Sequence, residues 1–420
     1  MLQRIGSGIT FLSLTLLFVL SNCSPKESKL NKVRTGLDRI VEDNFSGFNG
    51  KNLGIVCNHT SRDKTGEHIV DLFHKNKSCS VRAIFAPEHG FRGKEAAGSS
   101  IEDDIDPRTG IKIYSLYGDT KKPTEKMLEN IDMLIYDIQD IGARFYTYIS
   151  TMTYCMEAAA ENDIPIAVFD RPNPIRGNIV EGPILQEDYQ SFVGLHPIPI
   201  RYGLTPGELA ILINKSGYLK NKIRADLSVI KLKGWKRSLW YDQTDLPWIA
   251  PSPNIPDLET ALVYPGMCLL EGTNLSEGRG TDTPFLLFGA PWISSDTLVS
   301  KLNQMDFEGI KFQGQNFKPV DIPGQAHNPK YENQECSGIR LQITDRETYR
   351  PVKTAVKILA TIYNNYPENF QWRKRWIDLL TGSDDLRKNF KNNAPVESLL
   401  QDWQTQAQAF EKLSKKYYLY

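Results

Sequence analysis

Val81-Arg82-Ala83-Ile84-Phe85-Ala86 runs into Pro87-Glu88-His89-Gly90, a short apolar stretch that stops at a proline, a carboxylate, a histidine and a glycine. A run of this length, rich in β-branched and aromatic side chains and closed by turn residues, reads as a strand. The pattern recurs. Upstream, Leu53-Gly54-Ile55-Val56-Cys57 ends in Asn58-His59-Thr60-Ser61. Downstream, Met133-Leu134-Ile135-Tyr136-Asp137-Ile138 ends in Gln139-Asp140-Ile141-Gly142, and Ile166-Ala167-Val168-Phe169 ends in Asp170-Arg171-Pro172-Asn173-Pro174. Between these last two, Tyr146 to Glu161 is rich in Ala, Met and Tyr and reads as a helix with a buried face. Near-continuous apolar strands separated by helices predict an α/β fold whose parallel sheet is covered on both faces. Ligands of such sheets bind beyond the carboxyl ends of the strands, where Asn58, Glu88, Asp137, Asp140, Asp170, Arg171 and Asn173 would gather.

Further on, Thr205-Pro206-Gly207-Glu208 has the form of a capping box with proline in the first turn, and Gly217 is placed to end that helix. Leu227 to Leu232 reads as another strand. Pro247-Trp248-Ile249-Ala250-Pro251-Ser252-Pro253-Asn254-Ile255-Pro256 cannot be regular structure and is taken as the junction to a second, α+β domain. That domain is expected to hold a helix near 294–305, strands near 310–320 and 338–344, and a helix opened by Pro351 with Val352, Ala355, Val356, Leu359 and Ile362 inward. A closing helix shows an apolar stripe of Leu399, Trp403, Phe410, Leu413 and Tyr417.

The first residues address the compartment. Arg4 precedes an apolar run from Ile9 to Leu20, too short to span a bilayer but of signal-peptide length. It ends in Leu20-Ser21-Asn22-Cys23 and a polar Ser24-Pro25-Lys26-Glu27, which looks like a bacterial lipobox with Cys23 as the lipidated residue. Asn22 departs from the usual small residue there. The expected organisation is a signal peptide over 1–22, a tether over 23–36, a catalytic domain over 37–258 and an auxiliary domain over 259–420. The location expected is the cell envelope, periplasmic or cell-surface, reached through the lipid anchor.

Lys+Arg and Asp+Glu both total 50, so no net field draws the protein to nucleic acid. The six cysteines include no CxxC pair and no dense framework. No GxSxG elbow, phosphate loop, GxGxxG fingerprint or HExxH pair is present, and neither a cofactor nor a metal is expected. Carboxylates remain. Glycosidic bond cleavage needs an acid to protonate the leaving oxygen and an anionic or nucleophilic group to meet the oxocarbenium-like centre. Glu88, aimed into the rim by Pro87 and the turn at Gly90, suits the first role. Its partner stays open among Asp137, Asp140, Asp170, Glu277 and Asp282. Arg144, Arg171 and Arg279 are candidates to grip an anionic substituent, and Tyr146, Tyr148 and Trp248 to line a sugar-stacking face.

Longer motifs then come into view: Ala86-Pro87-Glu88-His89-Gly90-Phe91-Arg92-Gly93, Tyr136 to Tyr148, Asp170 to Pro174, Pro251 to Pro256, Glu271 to Thr281, and the ending Tyr417-Tyr418-Leu419-Tyr420. From about residue 36 to 420 the chain resembles the NamZ-type exo-β-N-acetylmuramidases. The resemblance implies a Rossmann-like N-terminal domain, a smaller C-terminal auxiliary domain and an active site in the cleft between them. It also implies release of terminal N-acetylmuramic acid from the non-reducing end of peptidoglycan fragments. The family's catalytic glutamate falls on Glu88, with Asp137 or Asp140 to assist by orienting the substrate's 2-acetamido group. Asn58, His89, Arg92, Arg144, Tyr146, Asp170, Arg171, Asn173, Glu277 and Arg279 are the candidates for substrate contact. A muropeptide-binding surface lipoprotein without catalysis is the competing expectation.

Overall fold

The computed structural model describes residues 32–88, 90–91 and 104–420, so Cys23, His89 and Arg92 lie outside the described residues. Seven strands form the larger sheet: β1 (Asn52–Cys57), β2 (Ser80–Ala86), β3 (Asp104–Ile105), β4 (Lys112–Ser115), β5 (Met133–Asp137), β6 (Ile166–Phe169) and β7 (Leu227–Ile230). Their order is β3-β4-β2-β1-β5-β6-β7, and every pairing is parallel except that of β3 with β4. Without the short β3, the order is that of the dinucleotide-binding Rossmann sheet, whose winding reverses between its first and fourth parallel strands, here β1 and β5.

The strands lack an apolar–polar alternation because both faces of the sheet are dry. Leu53, Ile55 and Cys57 of β1 point into one cluster with Ile84, Ile135, Ala167 and Phe169, covered by α1 (Gly36–Glu42) and α2 (Ile69–Lys75). The alternate residues Val56, Phe85, Leu134, Tyr136 and Val168 point into another, covered by α3 (Tyr148–Glu161) and α4 (Pro206–Lys215). Gly54 is the exception on that second face. A Cβ there would lie 2.8 Å from the Leu134 side chain and 2.9 Å from those of Ile131 and Phe85, so the position admits no larger residue without repacking. The capping box at Thr205 forms as its sequence predicts.

The second cluster continues without a break into the C-terminal half. There α5 (Leu258–Met267), α6 (Ser295–Gln304) and α7 (Pro351–Asn365) surround an antiparallel sheet of order β8-β10-β9, made of β8 (Leu287–Ala290), β9 (Ile310–Gly314) and β10 (Ser337–Ile343). α8 (Lys374–Thr381), α9 (Asp385–Lys391) and α10 (Val396–Ser414) complete it. The fold is thus α/β, a Rossmann-like parallel sheet joined to a smaller α+β part. The inward stripe of α10 is Leu399, Trp403, Ala407, Phe410 and Ser414. Leu413, expected in that stripe, is 43% exposed, because the buried face steps four residues from Phe410 to Ser414 and leaves Leu413 at its edge.

The chain ends by returning to the first half. Tyr420 donates its hydroxyl to Asp170 at 2.7 Å and accepts from the Leu232 N–H at 2.7 Å. Leu419 N–H donates to Glu208 at 2.8 Å, and Arg237, whose Nη1 donates to both oxygens of the same Glu208 at 2.6 and 2.8 Å, lies 3.4 Å over the Tyr418 ring.

Candidate active site

β2 hands the chain to Pro87, whose carbonyl accepts from the Gly90 N–H at 3.0 Å, and this turn lifts Glu88 away from the sheet. Glu88 is half-buried. Thr147 stands at the N-cap of α3 but makes no capping bond with its side chain. Its hydroxyl donates instead to Glu88 Oε2 at 2.8 Å. Tyr117, two residues beyond β4, places its hydroxyl on the same carboxylate. Burial, and then the charge of Glu88, push that phenol well above its usual range, so it stays protonated and donates. Tyr146 and Tyr148 pack edge to face at 4.8 Å beside it, each raised by burial and, to a lesser degree, by Glu88.

Glu88 opens into a cleft of about 380 Å³, within the range of small-molecule sites. The opposite wall belongs to the C-terminal half. In Glu277-Gly278-Arg279-Gly280 both glycines have positive φ, 80° and 79°, a region that side-chain-bearing residues avoid. That winding brings Glu277 and Arg279 to the same wall. Arg279 is forked onto Glu271 at 2.9 and 3.2 Å and lies 3.6 Å from Glu277. Lys330 donates to Glu277 at 3.0 Å and to the carbonyls of Leu270 and Leu275 at 3.0 and 2.8 Å. Burial alone would raise the Glu277 carboxyl, but Lys330 and Arg279 outweigh it and hold the group below its usual range. Two rim residues of α8 complete this wall: Arg373, exposed at its N-cap, and the half-buried Trp376. A larger cavity of about 480 Å³ lies against α7 and α10, and none of the strand-end side chains lines it.

The remaining strand-end residues turn inward, which corrects several expectations. Asp137 is fully buried and forked by Arg171 at 2.5 and 2.8 Å, while Arg171 also donates to the Arg62 carbonyl. Asp140 accepts from the Gly142 N–H at 2.7 Å and from the Tyr202 hydroxyl. Burial raises its carboxyl to about 6 despite those donors. Neither aspartate lines the cleft, so neither is placed to orient a sugar. Asn58 organises the turn after β1 by accepting from the Thr60 N–H and hydroxyl at 2.9 and 2.6 Å. Asp170 accepts from Arg171 N, Gly207 N, Thr205 and Tyr420, and Asn173 donates to the Leu204 carbonyl at 2.9 Å. Arg144 is buried against the carbonyls of Pro183, Ile198 and Leu380, which lowers its guanidinium to about 9 through burial. These are internal braces. Of the residues expected at the substrate, the cleft brings together Glu88, Glu277 and Arg279, with Tyr146 packed behind Glu88.

Among the described residues, no group of three or more His, Cys, Asp or Glu side chains is arranged to hold a metal ion. Residues 53–259 match the N-terminal domain, and residues 262–420 the C-terminal domain, of the exo-β-N-acetylmuramidase NamZ. The chain belongs to the NamZ exo-β-N-acetylmuramidase family. It is 44% identical to the peptidoglycan β-N-acetylmuramidase NamZ of Bacillus subtilis over 94% of its own length and 92% of that protein's. Two crystal structures of DUF1343-family proteins from Bacteroides fragilis share its fold. Both are 36% identical, cover 93% of this chain and 99% of theirs, and superpose with TM-scores of 0.85 and 0.76.

Within this NamZ-family site, Tyr117, Thr147, Lys330, Arg373 and Trp376 escaped the sequence reading. Thr147 lies inside the Tyr136–Tyr148 motif and was within reach, since a threonine before a helix has a hydroxyl to place. The others sit on loops or rims, where periodicity gives no direction.

Proposed function

We propose that this chain is an exo-acting glycoside hydrolase that releases terminal N-acetylmuramic acid from the non-reducing end of peptidoglycan fragments, with Glu88 as general acid/base. The supporting observation is the delivery of Glu88 by β2 into the cleft, fixed there by the Thr147 and Tyr117 hydroxyls, in a chain of the NamZ family. Glu88 gives its proton to the glycosidic oxygen, which leaves with the C1–O electron pair. The other described carboxylates of the cleft, Glu271 and Glu277, are paired with Arg279 and Lys330. That pairing favours the sugar's own acetamido oxygen as the group closing on C1, with Glu88 then taking a proton from the water that opens the ring.

The lipobox-like Leu20-Ser21-Asn22-Cys23 supports a lipid anchor on Cys23 and a cell-envelope location, which labelling with a fatty-acid analogue in wild type against Cys23→Ser tests directly. For the activity, purified protein is incubated with a muramic acid–glucosamine disaccharide. Free N-acetylmuramic acid is the expected product; intact disaccharide held tightly by the protein would replace hydrolysis with the binding-lipoprotein reading.

A further inference from the structure

N-acetylmuramic acid differs from N-acetylglucosamine by a lactyl ether that ends in a carboxylate, so a site that separates the two needs a cation with donors to offer. The cations lining the cleft are unequal in this respect. Arg279 is committed to Glu271 and Glu277, and Lys330 to Glu277 and three backbone carbonyls. His327 sits on Asp321 at 2.7 Å. Arg373 has no carboxylate partner among the described residues. Its side chain makes one long bond, 3.4 Å, to the Glu271 carbonyl, and the residue is exposed at the rim of the cleft. One helical turn on, Trp376 offers an apolar face to the same cleft, so the pair presents the two surfaces a lactyl-bearing sugar ring requires.

We propose that Arg373 is the specificity-determining residue for the lactyl carboxylate, a role that rests on the muramidase reading above. A guanidinium fork matches a carboxylate in shape and charge, and the match is lost when that carboxylate is amide-linked, as it is where a stem peptide is attached. The site therefore prefers a peptide-free terminal sugar. Lys374, the next residue, is equally exposed but does not line the cleft, which makes it the control for a general charge effect.

The test uses 4-nitrophenyl β-N-acetylmuraminide and the same glycoside with its lactyl acid converted to an amide. Arg373→Gln is expected to lose on the order of tenfold to a hundredfold in kcat/KM on the acid, carried mainly by KM. It should change little on the amide, and Arg373→Lys should recover part of the loss. Lys374→Gln should behave as wild type on both. Equal losses on acid and amide, or the same loss from Lys374→Gln, overturn the contact. If wild type cleaves neither glycoside, the glycosidase reading fails, and calorimetric titration with N-acetylmuramic acid and its amide still reads Arg373. Tighter binding of the acid that vanishes in Arg373→Gln supports the contact, and equal binding of both sugars by wild type removes it.

Discussion

At the carboxyl end of β2, Glu88 is half-buried, held by two hydroxyls, and faces a cleft. At the carboxyl ends of β5 and β6, Asp137, Asp140 and Asp170 are sealed within the protein. The four residues are the same chemistry at strand ends of one sheet, and what separates them is whether the side chain opens into the cleft or is sealed among internal partners. Asp170 takes four donors, two on each oxygen. A carboxylate has about four lone-pair sites, so nothing is left for a ligand. Asp137 takes a whole guanidinium fork. The lesson is that position at a strand end nominates a carboxylate, and its burial away from the cleft or exposure to it decides whether it serves the fold or the substrate.

Substitutions on the two sides should therefore separate activity from stability. The largest effect is expected from Glu88→Gln, which should lower kcat by about a hundred- to ten-thousandfold, the usual contribution of a general acid/base. Thermal unfolding should barely move. Turnover within a factor of two of wild type would remove Glu88 from the chemistry. Asp137→Ala is the converse. It strands the buried Arg171 without its counter-charge, a loss of about 3–5 kcal/mol in chemical denaturation. The fraction that remains folded should keep its kcat, and a stability change under 1 kcal/mol would mean that the pair is a bystander.

A smaller effect sharpens the contrast through pH. The folded Asp140 carboxyl, at about 6, binds its proton more tightly than the unfolded chain, at 3.8. That contribution is fully present below the unfolded value and is lost as pH rises through about 6. The difference corresponds to roughly 3 kcal/mol at complete burial. Asp140→Asn should therefore flatten the decline in stability between pH 3.8 and about 6, measured by denaturant titration across that window. An unchanged slope would show that Asp140 keeps its charge in the fold. The smallest effect belongs to Tyr420→Phe, which takes one donor from Asp170 and an acceptor from Leu232, worth about 1–2 kcal/mol.

The sheet was legible because its strands are apolar on both faces and end in turn residues; β1, β2, β5 and β6 start or stop within a residue or two of the sequence reading. β3 and β4 were not. β3 has two residues, and β4 alternates in burial at a sheet margin, so neither makes an apolar run. α8 was missed because its first residues, Lys374 and Arg375, are exposed and its buried positions crowd into one short turn. In the site, Glu88 was legible from its place after a strand. The inward turn of Asp137, Asp140 and Asp170 was not, because their donors, Arg171, Tyr202 and Tyr420, lie up to 250 positions away. Spacing along a chain carries no record of such pairings.

The Tyr420–Asp170 bond also sets a timetable. At roughly 5–20 residues per second, a ribosome reaches Tyr420 on the order of 12–50 seconds after Asp170. Throughout that interval the Asp170 carboxylate at the end of β6 waits for one donor, and from its own later synthesis the Leu232 N–H waits for its acceptor. Every strand of the Rossmann-like sheet is thus synthesised before its latch, and a product truncated before Tyr420 should be cut faster by proteases at that seam.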